Sequence, residues 1–378
     1  MPLSPEPFPL LIVSASGRAL AQSAVRMGLK AVVLDLFNDT DLRVLTAASQ
    51  CVAGRNARFD ARQLLAAAQA LCPPEQCGGL VYGSGFEGRT RLLAQLARGR
   101  ILFGNAPETI AQIKDPIPFF SMLDVLRIAH PDVRLDAPPE TDGWLTKRSG
   151  GAGGSHVKPA RRRHRAKVQR YFQRFLTGRT LSVLFLADGC NVRVIGFNEQ
   201  WCADVAQCAP YCYGGAVSGI PVTPNLRTLI TAILEKLVRA SGLIGLNGLD
   251  FIVDPRGTPH VLEINPRPTA TIDLYDADFA TGLLALHLRA CSGQLTQPHS
   301  LPHRPRAHAI VYAAQNIVVP VAMDWPSWCT DIPAGGLFIA AGAPVCSVHA
   351  EAISSRSARE LALSRRTLMS DLVHRKAA

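Results

Sequence analysis

Gly248-Leu-Asp-Phe-Ile-Val-Asp-Pro-Arg-Gly257 and, shortly after it, His260-Val-Leu-Glu-Ile-Asn-Pro-Arg267 are the two runs on which the reading of this chain turns. Asp254-Pro-Arg-Gly257 has the residues of a type I turn, and its flanks are β-like, so the two runs are expected to pair as a hairpin. Residues two apart on a strand share a face, which puts Glu263 and Asn265 together. Asp250 joins them in half of the available registers, and the sequence does not fix the register. Three oxygen-bearing side chains on one sheet face suit a hard cation such as Mg²⁺, which takes one or two carboxylates plus substrate phosphates. The competing reading is polar side chains facing water. Against it, Glu263 stands inside an otherwise apolar run, where an unpaired carboxylate would be costly to bury.

Upstream of the hairpin, Thr223 is a good N-cap and Pro224 suits the first helical position. Apolar residues at 226, 229, 230, 233, 234, 237 and 238 make one helical face, and Gly242 is the stop signal. Further back, Trp144-Leu-Thr-Lys147 reads as a strand that leads into Arg148-Ser-Gly-Gly-Ala-Gly-Gly-Ser-His156. Glycines at 150, 151, 153 and 154 let backbone N–H groups wrap an anion without side-chain obstruction, and Lys147 adds a positive charge beside them. A flexible hairpin tip is the structural alternative. No Gly-Lys-Ser/Thr follows, so the loop is not a P-loop. The basic run Arg161-Arg-Arg-His-Arg165 reads first as solvated surface, with contact to an anionic substrate as the alternative. Tyr171 to Leu176 and Thr180 to Leu186 read as strands, and Asp188-Gly189 is a hairpin signal before Val192-Arg-Val-Ile195.

The N-terminal third has a different rhythm. Apolar strands at 10–13, 31–34, 79–82 and 101–103 alternate with helices ending near Gly28 and over 60–71 and 88–98. This order implies a parallel sheet. The dinucleotide fingerprint G-x-G-x-x-G is missing after the first strand, where Ser14-Ala-Ser-Gly-Arg18 stands, so the layer is expected to frame a cleft rather than bind NAD. Lys114-Asp-Pro116 precedes an expected helix over 117–128. The tail, 299–378, is expected to be a small α/β module with a helix over roughly 356–374.

The chain has 378 residues and a formal net charge of +11. A basic surface suits nucleotides and other anionic substrates as well as nucleic acid, so charge alone selects no partner. Neither a signal peptide nor a membrane span is legible, and a cytoplasmic protein is expected. Ten cysteines are scattered, with Cys202, Cys208 and Cys212 the densest group. That group lacks the paired spacing of a zinc site, so free thiols are expected.

A lysine before a glycine-rich loop, a hinge strand, then Asp-Phe and Glu-Ile-Asn-Pro-Arg: this order resembles the ATP-grasp superfamily over roughly residues 100–290. The resemblance implies α/β and α+β architecture. It divides the chain into a Rossmann-like pre-ATP-grasp domain (1–105), an ATP-grasp domain (106–298, small lobe about 106–172, large lobe about 173–298) and the C-terminal module (299–378). It implies that Lys114 and Lys147 contact ATP phosphates and that Gly150, Gly151, Gly153 and Gly154 close over them. Gln173, Arg174, Phe175 and Leu176 would line the adenine pocket. Asp250, Glu263 and Asn265 would ligate Mg²⁺ (or Mn²⁺), and Arg267 would stabilise the activated substrate. Arg174 departs from the acidic residue often found after the hinge glutamine. The implied activity is a ligase that activates a small-molecule carboxylate as an acyl phosphate and couples it to an amine, releasing ADP and phosphate. Bicarbonate-dependent carboxylation, as in biotin carboxylase, is one alternative; a non-catalytic nucleotide- or nucleic-acid-binding module is another. Nucleic acid is not the expected partner, and the resemblance allows a homodimer. The Leu186-Ala-Asp-Gly189 turn also resembles ATP-grasp carboligases that often belong with tetrahydromethanopterin- and methanofuran-type one-carbon metabolism.

Overall fold

A computed structural model describes residues 8–54, 58–161, 170–295, 301 and 303–377. The deciding hairpin forms from strands Ile244–Val253 and Pro259–Asn265, antiparallel to one another. Its turn closes where Asp254 Oδ1 accepts from the amides of Arg256 and Thr258. The register places Asp250 directly opposite Glu263 and Phe251 opposite Val261, so Leu262 is an extra residue in the second strand. This bulge brings Glu263 and Asn265 onto the face of Asp250, while Leu249, Phe251, Val261 and Ile264 are fully buried on the other side.

The hairpin is one end of an eight-stranded antiparallel sheet. In order across it, the strands are Pro259–Asn265, Ile244–Val253, Arg179–Asp188, Val192–Cys202, Tyr213–Val217, Arg306–Tyr312, Pro344–Glu351 and Cys329–Thr330. Helix Pro224–Ser241 packs its apolar face against this sheet, capped by Thr223 and ended by Gly242 at φ +66°. The tail strands are hydrogen-bonded to the sheet through Ala307–Ala309 on Gly215–Val217, so the sheet runs across the boundary expected near 298. Helix Ser355–Ala377 closes the chain.

A second, four-stranded sheet has the order Val133–Arg134, Arg170–Arg174, Trp144–Arg148, Lys158–Pro159. It carries Lys147 and the hinge glutamine. Residues 162–165 of the basic run fall outside the described residues. The N-terminal sheet is parallel, in the order Ala48–Cys51, Ala31–Asp35, Leu10–Val13, Gly79–Tyr82, Leu102–Phe103. At its first turn, Gly17 lies so close to Val33 that a Cβ would stand 2.3 Å from its side chain, and Asp35 accepts from the amides of Gly17, Phe37 and Asn38. Here the Ser-Ala-Ser-Gly turn is filled by a buried carboxylate of its own sheet. The helix expected over 117–128 is Pro116–Val125, preceded by a separate helix, Pro107–Lys114. Asp115 ends the first and caps the second, accepting from the Ile117 amide.

The parallel layer is fastened to the large sheet by buried polar contacts. Asn105 donates to Asn247 and to the Pro266 carbonyl, and accepts from the Ile244 amide. Arg18 pairs with Asp273 and with Asp331, tying the first helix to both the 3-10 turn Ala270–Leu274 and the tail. His287 accepts from the Leu246 amide at Nδ1, and its Nε2 meets the Phe103 carbonyl. Gly245, at φ +69°, makes room for that ring.

Burial pushes His287 down to about 4, below the usual histidine value of 6.5. The unfolded chain therefore takes up this proton before the folded one as pH falls. The stability it contributes is complete above pH 6.5 and is lost as the pH drops toward 4. Urea denaturation at pH 7 and pH 5 should show a loss of roughly 2 kcal/mol from this group at the lower pH. A His287→Gln variant should lack that increment; an unchanged pH slope would remove His287 as its source.

Candidate active site

The two antiparallel sheets and the C-terminal ends of the parallel strands enclose one cleft of about 1150 Å³. Its floor is the hairpin face. Asn265 donates to Asp250 at 2.8 Å, and Gln200 donates to the other Asp250 oxygen at 3.1 Å. Lys114, at the end of helix Pro107–Lys114, donates to Glu263 at 3.2 Å and to Asn265 at 3.1 Å. Burial, then the facing Glu263 carboxylate, pushes Asp250 above the ordinary carboxylate range. Burial acts the same way on Glu263, but Lys114 and Lys147 outweigh it and hold Glu263 below its usual value.

Lys147 enters from the small sheet. Its ammonium is buried and pushed below the usual lysine value by burial, against the pull of Glu263 and Asp250. Among the described residues, no carboxylate stands within ion-pair distance of it. The glycine loop beyond it is folded down onto its neighbours. Ser149 donates to the Lys114 carbonyl, and the Tyr213 amide donates to the Gly153 carbonyl at 3.1 Å. A Cβ on Gly150 would lie 2.6 Å from Gly88 Cα, and one on Gly154 would lie 1.7 Å from the Tyr211 carbonyl oxygen. Gly150, Gly153 and Gly154 line the cleft, whereas Gly151 sits beneath the His156 ring beside a small adjoining cavity.

Gln173 is buried on strand Arg170–Arg174 and lines the cleft with Phe175 and Leu176. Among the described residues, its Nε2 has no hydrogen-bond partner. The next side chain along the strand takes the other direction. Arg174 lies over the Trp144 ring, 5.7 Å from its centroid, and donates to the Asp142 carbonyl. The departure from an acidic residue at this position thus has a structural use at the cleft rim.

Arg267 donates from Nε to Glu87 at 2.6 Å and from Nη1 to the Pro268 carbonyl. Burial would raise Glu87, but Arg267 and then Lys114 hold it below its ordinary value. Glu87, Gln200 and Tyr213 were not singled out from the sequence. No local pattern marks them, because each reaches the cleft through a long-range contact. Tyr213 lines the cleft with its hydroxyl 2.7 Å from His308.

These residues fit a nucleotide and a hard cation. Two carboxylates and an amide oxygen share one face, the oxygen-only donor set that Mg²⁺ takes together with phosphates. Among the described residues, Lys147 has no carboxylate within ion-pair distance, and the Gln173 amide donor, buried without a partner, awaits an acceptor beside the hinge. Among the described residues, no group of three or more His, Cys, Asp or Glu is placed to hold a metal. Cys208 and Cys212 instead rest on the Gly342 carbonyl and the Tyr312 hydroxyl. Among the described residues, no helix is long and apolar enough to cross a membrane.

A parallel layer followed by two unlike antiparallel sheets closed over a cation-rich cleft is the ATP-grasp architecture. Residues 119–271 match the family profile of the ATP-grasp domain, and the chain carries such a domain. Several solved structures share the fold. The 2-oxoglutarate carboxylase biotin carboxylase domain of Hydrogenobacter thermophilus, in complex with MgADP and bicarbonate, is 11% identical with a TM-score of 0.71 over 95% of this chain and 88% of its own. Biotin carboxylase of Campylobacter jejuni is 13% identical, TM-score 0.68, over 93% and 89%. The N5-carboxyaminoimidazole ribonucleotide synthetase of Thermotoga maritima is 14% identical, TM-score 0.66, over 97% and 98%. Likeness at these identities establishes the fold. No curated protein matches by sequence.

Gly154→Ala would force a side chain into the Tyr211 carbonyl at a φ of +71°. The loop should lift from the 211–213 segment. Hydrogen exchange at the Tyr213 amide, which now donates to Gly153, should then accelerate on the order of tenfold or more, while the global unfolding midpoint moves little. Unchanged protection at Tyr213 would show that the loop is held by other contacts.

Proposed function

We propose that the protein is an ATP-dependent, ADP-forming ligase that activates a carboxylate as an acyl phosphate and couples it to an amine. The observation that carries this reading is the convergence of Lys114, Lys147, Asp250, Glu263, Asn265 and Arg267 on one cleft from three separate parts of the fold. Lys147 and Lys114 would hold the triphosphate, and the glycine loop would cover it. Gln173 to Leu176 would receive the adenine. Asp250, Glu263 and Asn265 would hold Mg²⁺ (or Mn²⁺), which supplies charge neutralisation of the phosphates when bound. Gln200 would keep Asp250 turned toward the metal. Glu87 would aim Arg267 at the reacting carboxyl, where charge develops. The closed loop would keep water from the activated substrate.

In this reading, residues 1–105 frame the substrate end, 106–298 bind the nucleotide, and 299–378 brace the large sheet. The protein works in the cytoplasm. The Leu186-Ala-Asp-Gly189 turn supports substrates from one-carbon cofactor metabolism. A second reading, bicarbonate-dependent carboxylation, is favoured by the fold likeness to biotin carboxylases. ADP release that requires bicarbonate and no organic carboxylate would select it.

Mg·ATP at about 100 times its Kd should stabilise the protein by roughly 2.7 kcal/mol, read as a rise of a few degrees in Tm. The rise should need Mg²⁺ and shrink in Lys147→Ala; no rise at millimolar ATP would sink the nucleotide assignment. Glu263→Ala and Asn265→Ala should fold normally and lose ADP release. Full turnover in either would remove these side chains from the metal site.

A further inference from the structure

The cleft exceeds what one ligand needs. Small-molecule pockets occupy roughly 300–1,000 Å³, and this one holds about 1150 Å³. The nucleotide reading uses the end lined by the hinge and the hairpin. The other end is bordered by Ala15, Phe37 and Gly85, at the C-terminal ends of the parallel strands.

Charge at that end is unbalanced. Of the cations lining the cleft, Lys114 is paired with Glu263, Arg267 with Glu87, Arg174 lies on Trp144, and Arg89 donates to the Phe59 carbonyl. Lys147 faces Glu263 and Asp250. Arg148, its neighbour on the strand, looks to different company. It stands directly opposite Arg170 in the sheet register, and Arg58 approaches it from the N-terminal layer across the cleft. Among the described residues, none of these three guanidiniums has a carboxylate within ion-pair distance. The adjoining stretches 55–57 and 162–169 contain no Asp or Glu at all. Burial, then Arg58, then Arg170 pushes Arg148 below its ordinary value. The two buried arginines among the described residues are matched by carboxylates, Arg18 by Asp273 and Asp331 and Arg267 by Glu87, whereas Arg148 is half-buried and Arg58 and Arg170 are exposed. Like charges directly opposite in a sheet are destabilising. Arg58 and Arg148 line the cleft and Arg170 stands exposed beside Arg148, so the group favours an anion that offsets their repulsion, and the guanidinium fork suits carboxylate and phosphate alike.

We propose that Arg58 and Arg148, with Arg170 beside them, form an anion subsite for the organic substrate, which therefore carries, besides its reacting group, a second anionic group, carboxylate or phosphate. This deepens the ligase reading and rests on it. The reacting end lies at Arg267 and the hairpin, and the second anion anchors the substrate where the small sheet meets the N-terminal layer.

The test is isothermal titration of the full chain, first with Mg·ADP and then, with Mg·ADP saturating, with three probes. Butyrate carries one carboxylate, glutarate two, and 4-phosphonobutyrate a carboxylate and a phosphonate. At least one dianion should bind about tenfold or more tighter than butyrate, as charge-assisted bonds to guanidinium imply. Which dianion is tighter distinguishes carboxylate from phosphate. The preference should fall to about threefold or less in Arg58→Gln and in Arg148→Gln. Arg58 is exposed, so its variant stays informative even where Arg148→Gln folds poorly. Equal binding of all three probes, or a preference that survives both substitutions, overturns the subsite while leaving the ligase reading in place. Failure of Mg·ADP to bind overturns the ligase reading and the subsite with it, so the two failures are told apart.

Discussion

Two half-buried carboxylates set face to face on the floor of a cleft are an expensive arrangement, and much of this molecule is organised around it. Asp250 and Glu263 are directly opposite in the hairpin register. In low-dielectric surroundings their repulsion adds to the cost of burying each. The chain answers with Lys114 at the end of one helix, Lys147 on a different sheet, and the amides of Asn265 and Gln200. Each comes from a separate element, so the compensation also fixes where the helix, the small sheet and the strand Val192–Cys202 must lie. A divalent cation would complete the same balance from the substrate side.

The parallel layer is held to this centre by polar contacts as much as by apolar packing. Glu87 with Arg267, Asn105 with the hairpin backbone, and Arg18 with Asp273 and Asp331 are all buried or nearly so. Such pairs contribute little net stability, because desolvation consumes most of their Coulombic gain. What they impose is geometry. A misplaced layer leaves a charge stranded, so the cleft is assembled in one alignment or at high cost.

Much of this was legible in the sequence, for identifiable reasons. The helix over Pro224–Ser241 announces itself by cap, periodicity and stop, and the glycine loop and Glu-Ile-Asn-Pro-Arg run by local composition. Those signals sit within a few residues of one another. The register of the hairpin did not, because it depends on the bulge at Leu262, where an apolar residue is spent on re-aiming a carboxylate. Glu87, Gln200 and Arg58 were invisible because their meaning lies in residues far along the chain. The helix Pro107–Lys114 is eight residues long and lacks a side-chain cap at Ala106, so its local signal is weak. The tail's β content was readable, but its attachment was not, since strand pairing carries no local signature beyond alternation.

That attachment bears on how the chain is made. The strand Tyr213–Val217 has its outer edge covered by Arg306–Tyr312, which in turn waits for Pro344–Glu351. During synthesis from the N-terminus, the hairpin and glycine loop emerge while that edge is still bare. An open strand edge is a template for pairing with another chain. The last stretch therefore acts as the seal of the sheet, and a nascent protein stalled before it would be prone to stick to its neighbours.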